Sequence, residues 1–277
     1  MSADAHGVWL PPADWSAAYD NRAAVGQDAV EAFIADIGAK AAAFRDEMTA
    51  AGRARLDQPY GERPRQRFDL FLPDAEPIAL AVFIHGGYWR TFDRSFWSHL
   101  AAGALARGAV VAIPSYTLCP EVRIRDITAE MVRFLDKITA DFPLPLHLAG
   151  HSAGGHLASV ALDRLLGDRV RKVVSISGVH DLRPLLRTSM NQDLRLDMEE
   201  AREQSPALKE PPPGTDLTCW VGADELLAFR RQNRLLAEAW GLLGARTEAV
   251  EAAGKNHFSV VLDLADPESE LVRTLMG

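Results

Sequence analysis

An alternation of strand-like and helix-like segments along most of the 277-residue sequence predicts an α/β fold, with a mostly parallel central sheet flanked by helices. Two kinds of segment carry this prediction. Continuous apolar runs such as IALAVFIHGG (78–87) and LPLHLAG (144–150) are typical of strands that are buried on both faces of a parallel sheet. Segments with helical periodicity that end on glycine, such as SFWSHLAAGALARG (95–108), are typical of the crossover helices between them.

The elements can be assigned in chain order. Residues 1–26 have no regular pattern, and the alanine-rich segment 27–50 has helical spacing. The predicted strands are 65–73, 78–87, 109–116, 144–150 and 246–252, while 171–182 is predicted as a strand followed by a loop and 216–225 as a strand followed by a turn. The predicted helices are 95–108, 127–142, 152–167, 226–244 and two short segments after residue 256. We expect one domain over 1–277, with an N-terminal extension over 1–60 and a small cap insertion over the polar residues 183–213.

Composition and charge narrow the range of partners. The formal net charge is −8, which disfavours binding to nucleic acid or to an anionic membrane surface, and a small-molecule substrate is expected instead. The chain has two cysteines and no basic-plus-apolar leader at its first residues, so we expect a soluble cytoplasmic protein. The sequence leaves homodimerisation open.

Ser152 lies at the junction of a predicted strand and a predicted helix, within Gly150-His151-Ser152-Ala153-Gly154. A serine hydroxyl is a poor nucleophile unless a base takes its proton and the chain orients it. A sharp strand-to-helix turn provides that orientation, and glycines two positions away on either side remove side chains that would collide in the turn. We interpret Ser152 as a nucleophile; the alternative is an ordinary glycine-rich turn.

The base that Ser152 requires is a histidine. His257 follows the last predicted strand, and the carboxyl ends of parallel strands are where sites form in such sheets. We therefore choose His257 over the other histidines of the chain, which are His6, His85, His99, His147, His151, His156 and His180.

The acid that orients the imidazole is expected to follow another strand, in the chain order serine, acid, histidine. Asp224, within Val221-Gly-Ala-Asp-Glu225, fits this order and is our choice. The neighbouring Glu225 is a rival, and so is Asp181 one strand earlier, whereas Asp263 lies beyond His257 and is out of order.

The oxyanion of a tetrahedral intermediate needs preorganised donors. The backbone N–H of Ala153 is one candidate, and the loop at Gly86 and Gly87 supplies the others because missing side chains let its backbone approach a substrate. The next residues, Tyr88 and Trp89, would place aromatic surface beside the substrate. No HExxH, CxxC or GxGxxG motif after a strand is present, so we expect no metal and no cofactor.

Taken together, these motifs resemble the α/β-hydrolase superfamily over roughly residues 65–265. HGGYW (85–89), GHSAGG (150–155), VGADE (221–225) and NHF (256–258) are similar to the kynurenine formamidase group, which neighbours the hormone-sensitive-lipase-like carboxylesterases. The resemblance implies a triad of Ser152, Asp224 and His257. It also implies an oxyanion hole formed by Gly86, Gly87 and Ala153.

These observations predict a metal-independent serine hydrolase that cleaves a small amide or ester, with an N-formyl arylamine such as N-formylkynurenine as the expected substrate. The alternatives are a short-chain carboxylesterase that uses the same residues and a non-catalytic binding protein with a hydrolase fold. Arginines of the cap could bind a substrate carboxylate, and these are Arg183, Arg187 and Arg195. The helix over 27–50 could cover the site or contact a neighbouring subunit.

Overall fold

The computed structural model describes residues 11–162 and 170–277, and its centre is an eight-stranded sheet. The strands are β1 Ala54–Pro59, β2 Arg67–Phe71, β3 Ala79–Ile84, β4 Ala109–Pro114, β5 Leu146–His151, β6 Val170–Ile176, β7 Asp216–Gly222 and β8 Arg246–Ala252. Their spatial order is β1-β2-β4-β3-β5-β6-β7-β8. β2 is antiparallel to both β1 and β4, and all the other neighbours are parallel. The mostly parallel α/β sheet that the sequence predicts is therefore confirmed.

Helices cover both faces of the sheet. They are α1 Asn21–Val25, α2 Gln27–Ala50, α3 Ala101–Ala106, α4 Ile124–Asp141, α5 Ala153–Ala161, α6 Asn191–Leu194, α7 Met198–Glu203, α8 Leu227–Leu242 and α9 Glu270–Met276. Apolar side chains of α4, α5 and α8 pack in one core cluster, and those of α2, α3 and α9 pack in a second. The central strands β3 and β4 are buried along their whole length because they lie between these two layers.

The structure departs from the predicted elements at β1 and in the region 95–108. β1 was not predicted, because it is an edge strand of half-buried and exposed residues without an apolar run. The predicted helix at 95–108 is two short 3-10 turns followed by α3, and the predicted helical end at Gly167 lies outside the described residues. Residues 183–213 form short turns and the small helices α6 and α7, which are separated at Arg195 by a left-handed backbone conformation (φ 50°).

The N-terminal helix α2 packs against the sheet through a narrow apolar stripe. Its buried side chains are Val30, Ile37, Ala41 and Met48, which recur at seven- and four-residue intervals on one face. The buried carboxylate of Asp69 on β2 accepts hydrogen bonds from Arg45 of α2 and from Arg94. These contacts fix α2 to β2, near one edge of the sheet. Within the described ranges, no helix is both long and apolar enough to cross a membrane.

Candidate active site

Ser152 occupies a strained turn between β5 and α5. Its backbone has φ 56° and ψ −116°, a conformation that side-chain-bearing residues rarely adopt and that the surrounding structure must hold in place. A Cβ on Gly150 would overlap the backbone of Gly154, and a Cβ on Gly154 would overlap the carbonyl oxygen of Ile84. The two glycines are therefore required because the turn packs directly against itself and against β3. The Ser152 N–H donates to the carbonyl of Ile176 (2.7 Å), which ties the turn to the neighbouring strand β6.

His257 reaches the same place from the loop after β8. Its loop is rigid, because the Asn256 side-chain oxygen accepts hydrogen bonds from the backbone N–H groups of Phe258 and Ser259, each at 3.0 Å. The imidazole is almost fully buried. It lines a pocket of about 390 Å³ together with Ser152, so the structure brings the two residues to one site.

The acid that contacts His257 is Glu225. Glu225 Oε2 accepts a hydrogen bond from His257 Nδ1 at 2.7 Å, and both side chains are buried. The prediction that Asp224 fills this position is wrong on geometry, because the turn after β7 points the Asp224 side chain into solvent. The two other acids considered have partners of their own: Asp181 accepts from Arg183, and Asp263 pairs with Lys255.

The Glu225 carboxylate is held on its other oxygen as well. Oε1 accepts hydrogen bonds from the Ser177 hydroxyl (2.5 Å) and from the Gly222 N–H (2.8 Å). Ser177 is buried and has a positive φ of 51°, so its hydroxyl is aimed at Glu225 by a backbone conformation that costs energy. Sequence reasoning missed Ser177, since it lies in a turn with no recognisable motif.

Gly86 and Ala153 lie directly beside Ser152, and Gly87 lines the same pocket. A Cβ on Gly86 would lie 3.0 Å from Ser152 Cβ, so the loop that contains Gly86 and Gly87 packs directly against the turn at Ser152. Gly87 has φ 114°, a conformation that only glycine adopts readily, and its carbonyl accepts from the N–H groups of Arg90 and Thr91. Ala153 is the first residue of α5, so its N–H has no partner within the helix and is free to serve an anion.

His85 supports the loop that contains Gly86 and Gly87 through a hydrogen bond and a ring contact. It is buried, donates from Nδ1 to the Gly86 carbonyl (2.7 Å), and stacks on the ring of Tyr116 with centroids 4.4 Å apart. Burial lowers the pKa of His85 to about 4, which keeps the ring neutral. His85 therefore braces the loop.

The two aromatic residues after the glycines have different environments. Tyr88 lines the pocket, and its hydroxyl donates to the Tyr19 carbonyl at 2.5 Å. Trp89 is fully buried and packs edge-on against His156, with ring centroids 5.1 Å apart. The prediction that Trp89 contacts substrate is therefore wrong. Both residues have positive φ, and their rings lie 6.5 Å apart in a T-shaped arrangement, with Tyr88 lining the pocket and Trp89 in the core.

The N-terminal segment supplies one wall of the pocket. Its contribution includes Tyr19, Asn21, Arg22 and Phe33, so this segment covers the site of its own chain. The remaining walls are rich in aromatic side chains, which are Tyr88, Phe92, Trp97 and Phe258. The cap contributes only Ser189 and Met190 among the described residues.

The cap arginines that the sequence suggested for a carboxylate lie elsewhere. Arg183 pairs with Asp181, Arg195 donates to the Pro120 carbonyl at 2.6 Å, and Arg187 lies over the Trp15 ring. The cationic side chains that line the pocket are Arg22 and Arg90. Arg90 also pairs with Asp193 of α6 (2.5 Å), and this ion pair links the loop after Gly86 and Gly87 to the cap. Across the described ranges, no three His, Cys, Asp or Glu side chains cluster in a way that could hold a metal ion.

Comparisons with known proteins agree with this geometry. A model of the alpha/beta hydrolase fold family matches residues 81–260, which include the Gly86–Gly87 loop, Ser152 and His257. The chain belongs to the alpha/beta hydrolase family.

Curated relatives of this alpha/beta hydrolase include kynurenine formamidases. The Drosophila melanogaster enzyme is 31% identical over 78% of each chain, and the Danio rerio enzyme is 27% identical over 80% of each chain. A crystal structure described as a proposed thioesterase from Silicibacter sp. TM1040 superimposes with a TM-score of 0.88, at 44% identity, over 95% of this chain and 98% of that one. The carboxylesterase EstE1 from a metagenomic library shares the fold, with a TM-score of 0.62 at 23% identity over 76% of this chain and 81% of that one.

Proposed function

We propose that this hydrolase uses Ser152 as its nucleophile and cleaves small amides or esters, with the N-formyl group of an aromatic amine as its preferred substrate. The observation that carries the proposal is the buried hydrogen bond from His257 Nδ1 to Glu225, because the same imidazole lines one pocket with Ser152. Because Nδ1 holds the proton, the other ring nitrogen of His257 has the free electron pair that a general base needs.

The reaction follows from these positions. Ser152 Oγ attacks the formyl carbon while His257 Nε2 takes the hydroxyl proton, and Glu225 stabilises the imidazolium. The N–H groups of Ala153 and of the Gly86–Gly87 loop stabilise the oxyanion. His257 then gives its proton to the leaving amine as the C–N bond breaks. A water molecule, deprotonated by His257, hydrolyses the formyl-enzyme to formate and free Ser152.

The pocket walls support an aromatic leaving group. Aromatic rings from the N-terminal segment, the oxyanion loop and the last loop line one cavity, and flat rings pack well against such edges and faces. Arg22, Arg90 and Asp20 add charges of both signs to the lining, which suits an amino-acid group on the substrate. The kynurenine formamidases among the relatives cleave a formamide by name, and this supports the same substrate class here.

Ester and thioester hydrolysis by the same residues is a second candidate, and the structural relative at 44% identity favours it. A comparison of kcat/KM for N-formylkynurenine, p-nitrophenyl acetate and an acetyl thioester separates the candidates. A value for the formamide near 10⁴ M⁻¹s⁻¹ or above, the usual range for a physiological substrate, supports the formamidase proposal. A value orders of magnitude lower, beside rapid ester or thioester cleavage, would leave the Ser152 mechanism in place and reject the formamide.

We also propose that the enzyme acts in the cytoplasm. Cys119 and Cys219 are both free and buried, as expected for thiols that serve only as small apolar side chains in a reducing compartment.

A further inference from the structure

His151 is a buried histidine that the proposed reaction does not use, although it lies between all of the reacting groups. It is the last residue of β5 and directly precedes Ser152. On one side it packs against the oxyanion loop, since a Cβ on Gly86 would be 3.2 Å from His151 Nδ1. On the other side, its ring centroid is 4.8 Å from that of His257.

A hydrogen bond joins His151 to the backbone that carries the base. His151 Nε2 lies 2.9 Å from the carbonyl oxygen of His257, and a carbonyl can only accept, so Nε2 carries the proton. Burial, with a further contribution from the adjacent His257, holds the pKa of His151 well below 6.5. The ring is therefore neutral, and its single N–H is committed to the His257 carbonyl.

The position of His257 relative to Ser152 depends on this bond. Glu225 fixes Nδ1 of the imidazole, but the backbone of His257 belongs to a loop on a different strand from the one that carries Ser152. His151 is the residue that connects the two, because its own backbone leads directly into Ser152. We propose that His151 is a positioning residue that fixes the distance between base and nucleophile by holding the His257 backbone against the Ser152 turn. This inference rests on the serine-hydrolase function proposed above.

The test replaces the N–H donor and then restores it. His151→Leu removes the donor, whereas His151→Gln places an amide N–H close to the position of the lost Nε2–H. His147→Leu is the matched control, because His147 is on the same strand and also bonds a backbone carbonyl, that of Leu275 at 2.6 Å, away from the site. Each variant is assayed for kcat and KM with p-nitrophenyl acetate, for the rate of labelling by a fluorophosphonate, and for thermal unfolding.

We expect His151→Leu to lower kcat and the labelling rate about 10- to 100-fold, since a displacement of about 1 Å at a reacting group has an effect of this size, with KM within about 3-fold of wild type. His151→Gln should recover kcat to within about 5-fold, and His147→Leu should leave it within about 2-fold. A purely structural role predicts instead that His151→Leu lowers the unfolding temperature and leaves kcat of the folded enzyme unchanged, and that result would overturn the inference.

Two further results keep the test decisive. If His151→Leu does not fold, His151→Gln is compared with His151→Asn. The asparagine amide lies near the position of Nδ1 and cannot reach the His257 carbonyl. Equal kcat values for these two variants would also reject the inference. Loss of activity in Ser152→Ala together with full activity in His151→Leu rejects only the role of His151. Full activity in Ser152→Ala rejects the proposed function itself.

Discussion

Replacement of Glu225 by glutamine tests the assignment of the acid with little change in shape. The amide oxygen can still accept from the Ser177 hydroxyl and the Gly222 N–H, the two donors that contact Oε1. The amide NH₂ then faces His257 Nδ1, where Oε2 now accepts a hydrogen bond at 2.7 Å. Two donors cannot share one hydrogen bond, so the imidazole must shift its proton to Nε2 and lose the electron pair that deprotonates Ser152.

The expected loss can be estimated from the same exchange in a serine protease, where an acid-to-amide change that keeps the geometry lowers kcat about 10⁴-fold. We therefore expect Glu225→Gln to lower kcat by about 10³- to 10⁴-fold, or about 4–5.5 kcal/mol in the activation free energy. Asp224→Asn should stay within about 3-fold of wild type, because the Asp224 side chain is exposed and does not contact His257.

The assay is the steady-state hydrolysis of p-nitrophenyl acetate and of N-formylkynurenine at pH 7.5, with thermal unfolding measured to show that both variants are folded. Glu225→Asp is a useful third variant, because it keeps the charge and shortens the reach by one methylene. The reasoning would be refuted if Asp224→Asn lost activity while Glu225→Gln kept it, since that pattern would restore the assignment made from sequence order.

Three other predictions follow from the contacts around the site and in the core. Ser177→Ala removes one of the two donors to Glu225 Oε1, so we expect the free energy of unfolding to fall by about 1.5–3 kcal/mol and kcat to fall about 10-fold. Denaturant titration and steady-state kinetics measure these two effects. An unchanged kcat would argue that Ser177 does not support Glu225. Burial lowers the pKa of several histidines below the ordinary value of 6.5, and among them His85 and His156 fall to about 4 and His180 to about 3. Because the unfolded chain takes up these protons first as the pH falls below 6.5, stability is full above that pH and declines toward pH 4, by up to about 1.4 kcal/mol per pH unit for each histidine. Denaturant titrations at pH 7.5 and 5.5 measure this decline, and His156→Gln should reduce it; equal stability at the two pH values would contradict the account. EDTA should leave kcat unchanged, because Ser152, His257 and the backbone donors supply the chemistry, and a loss that added metal restores would reject a metal-independent reaction.

Much of the fold could be predicted from sequence because its central strands are buried on both faces. Strands such as β3 and β4 are short continuous apolar runs, which are typical of strands buried on both faces of a parallel sheet. The edge strand β1 has no such signature, since its residues alternate only between half-buried and exposed. The region 95–108 has the composition of a helix, but its first half adopts 3-10 turns where it packs beneath α2, a tertiary effect that local sequence does not record.

Some residues of the site could also be located from the sequence, and others could not. Ser152 and His257 could be located because each follows a recognisable strand, and the glycines around Ser152 have a steric reason that the structure makes explicit. Asp224 and Glu225 are consecutive acids in one turn, and which of them faces His257 depends on backbone dihedrals that the sequence does not reveal. Trp89 was misplaced for the same reason, because two successive residues with positive φ decide which aromatic side chain faces the pocket.

The most direct test of the central claim, that Ser152 is an activated nucleophile, is intact-mass measurement after incubation with a fluorophosphonate, followed by peptide mapping. The account predicts one adduct per chain on the peptide that contains Ser152, no adduct in Ser152→Ala, and much slower labelling in Glu225→Gln. An unlabelled wild-type chain, or an adduct that persists in Ser152→Ala, would contradict it and would favour a binding protein with a hydrolase fold or a different nucleophile.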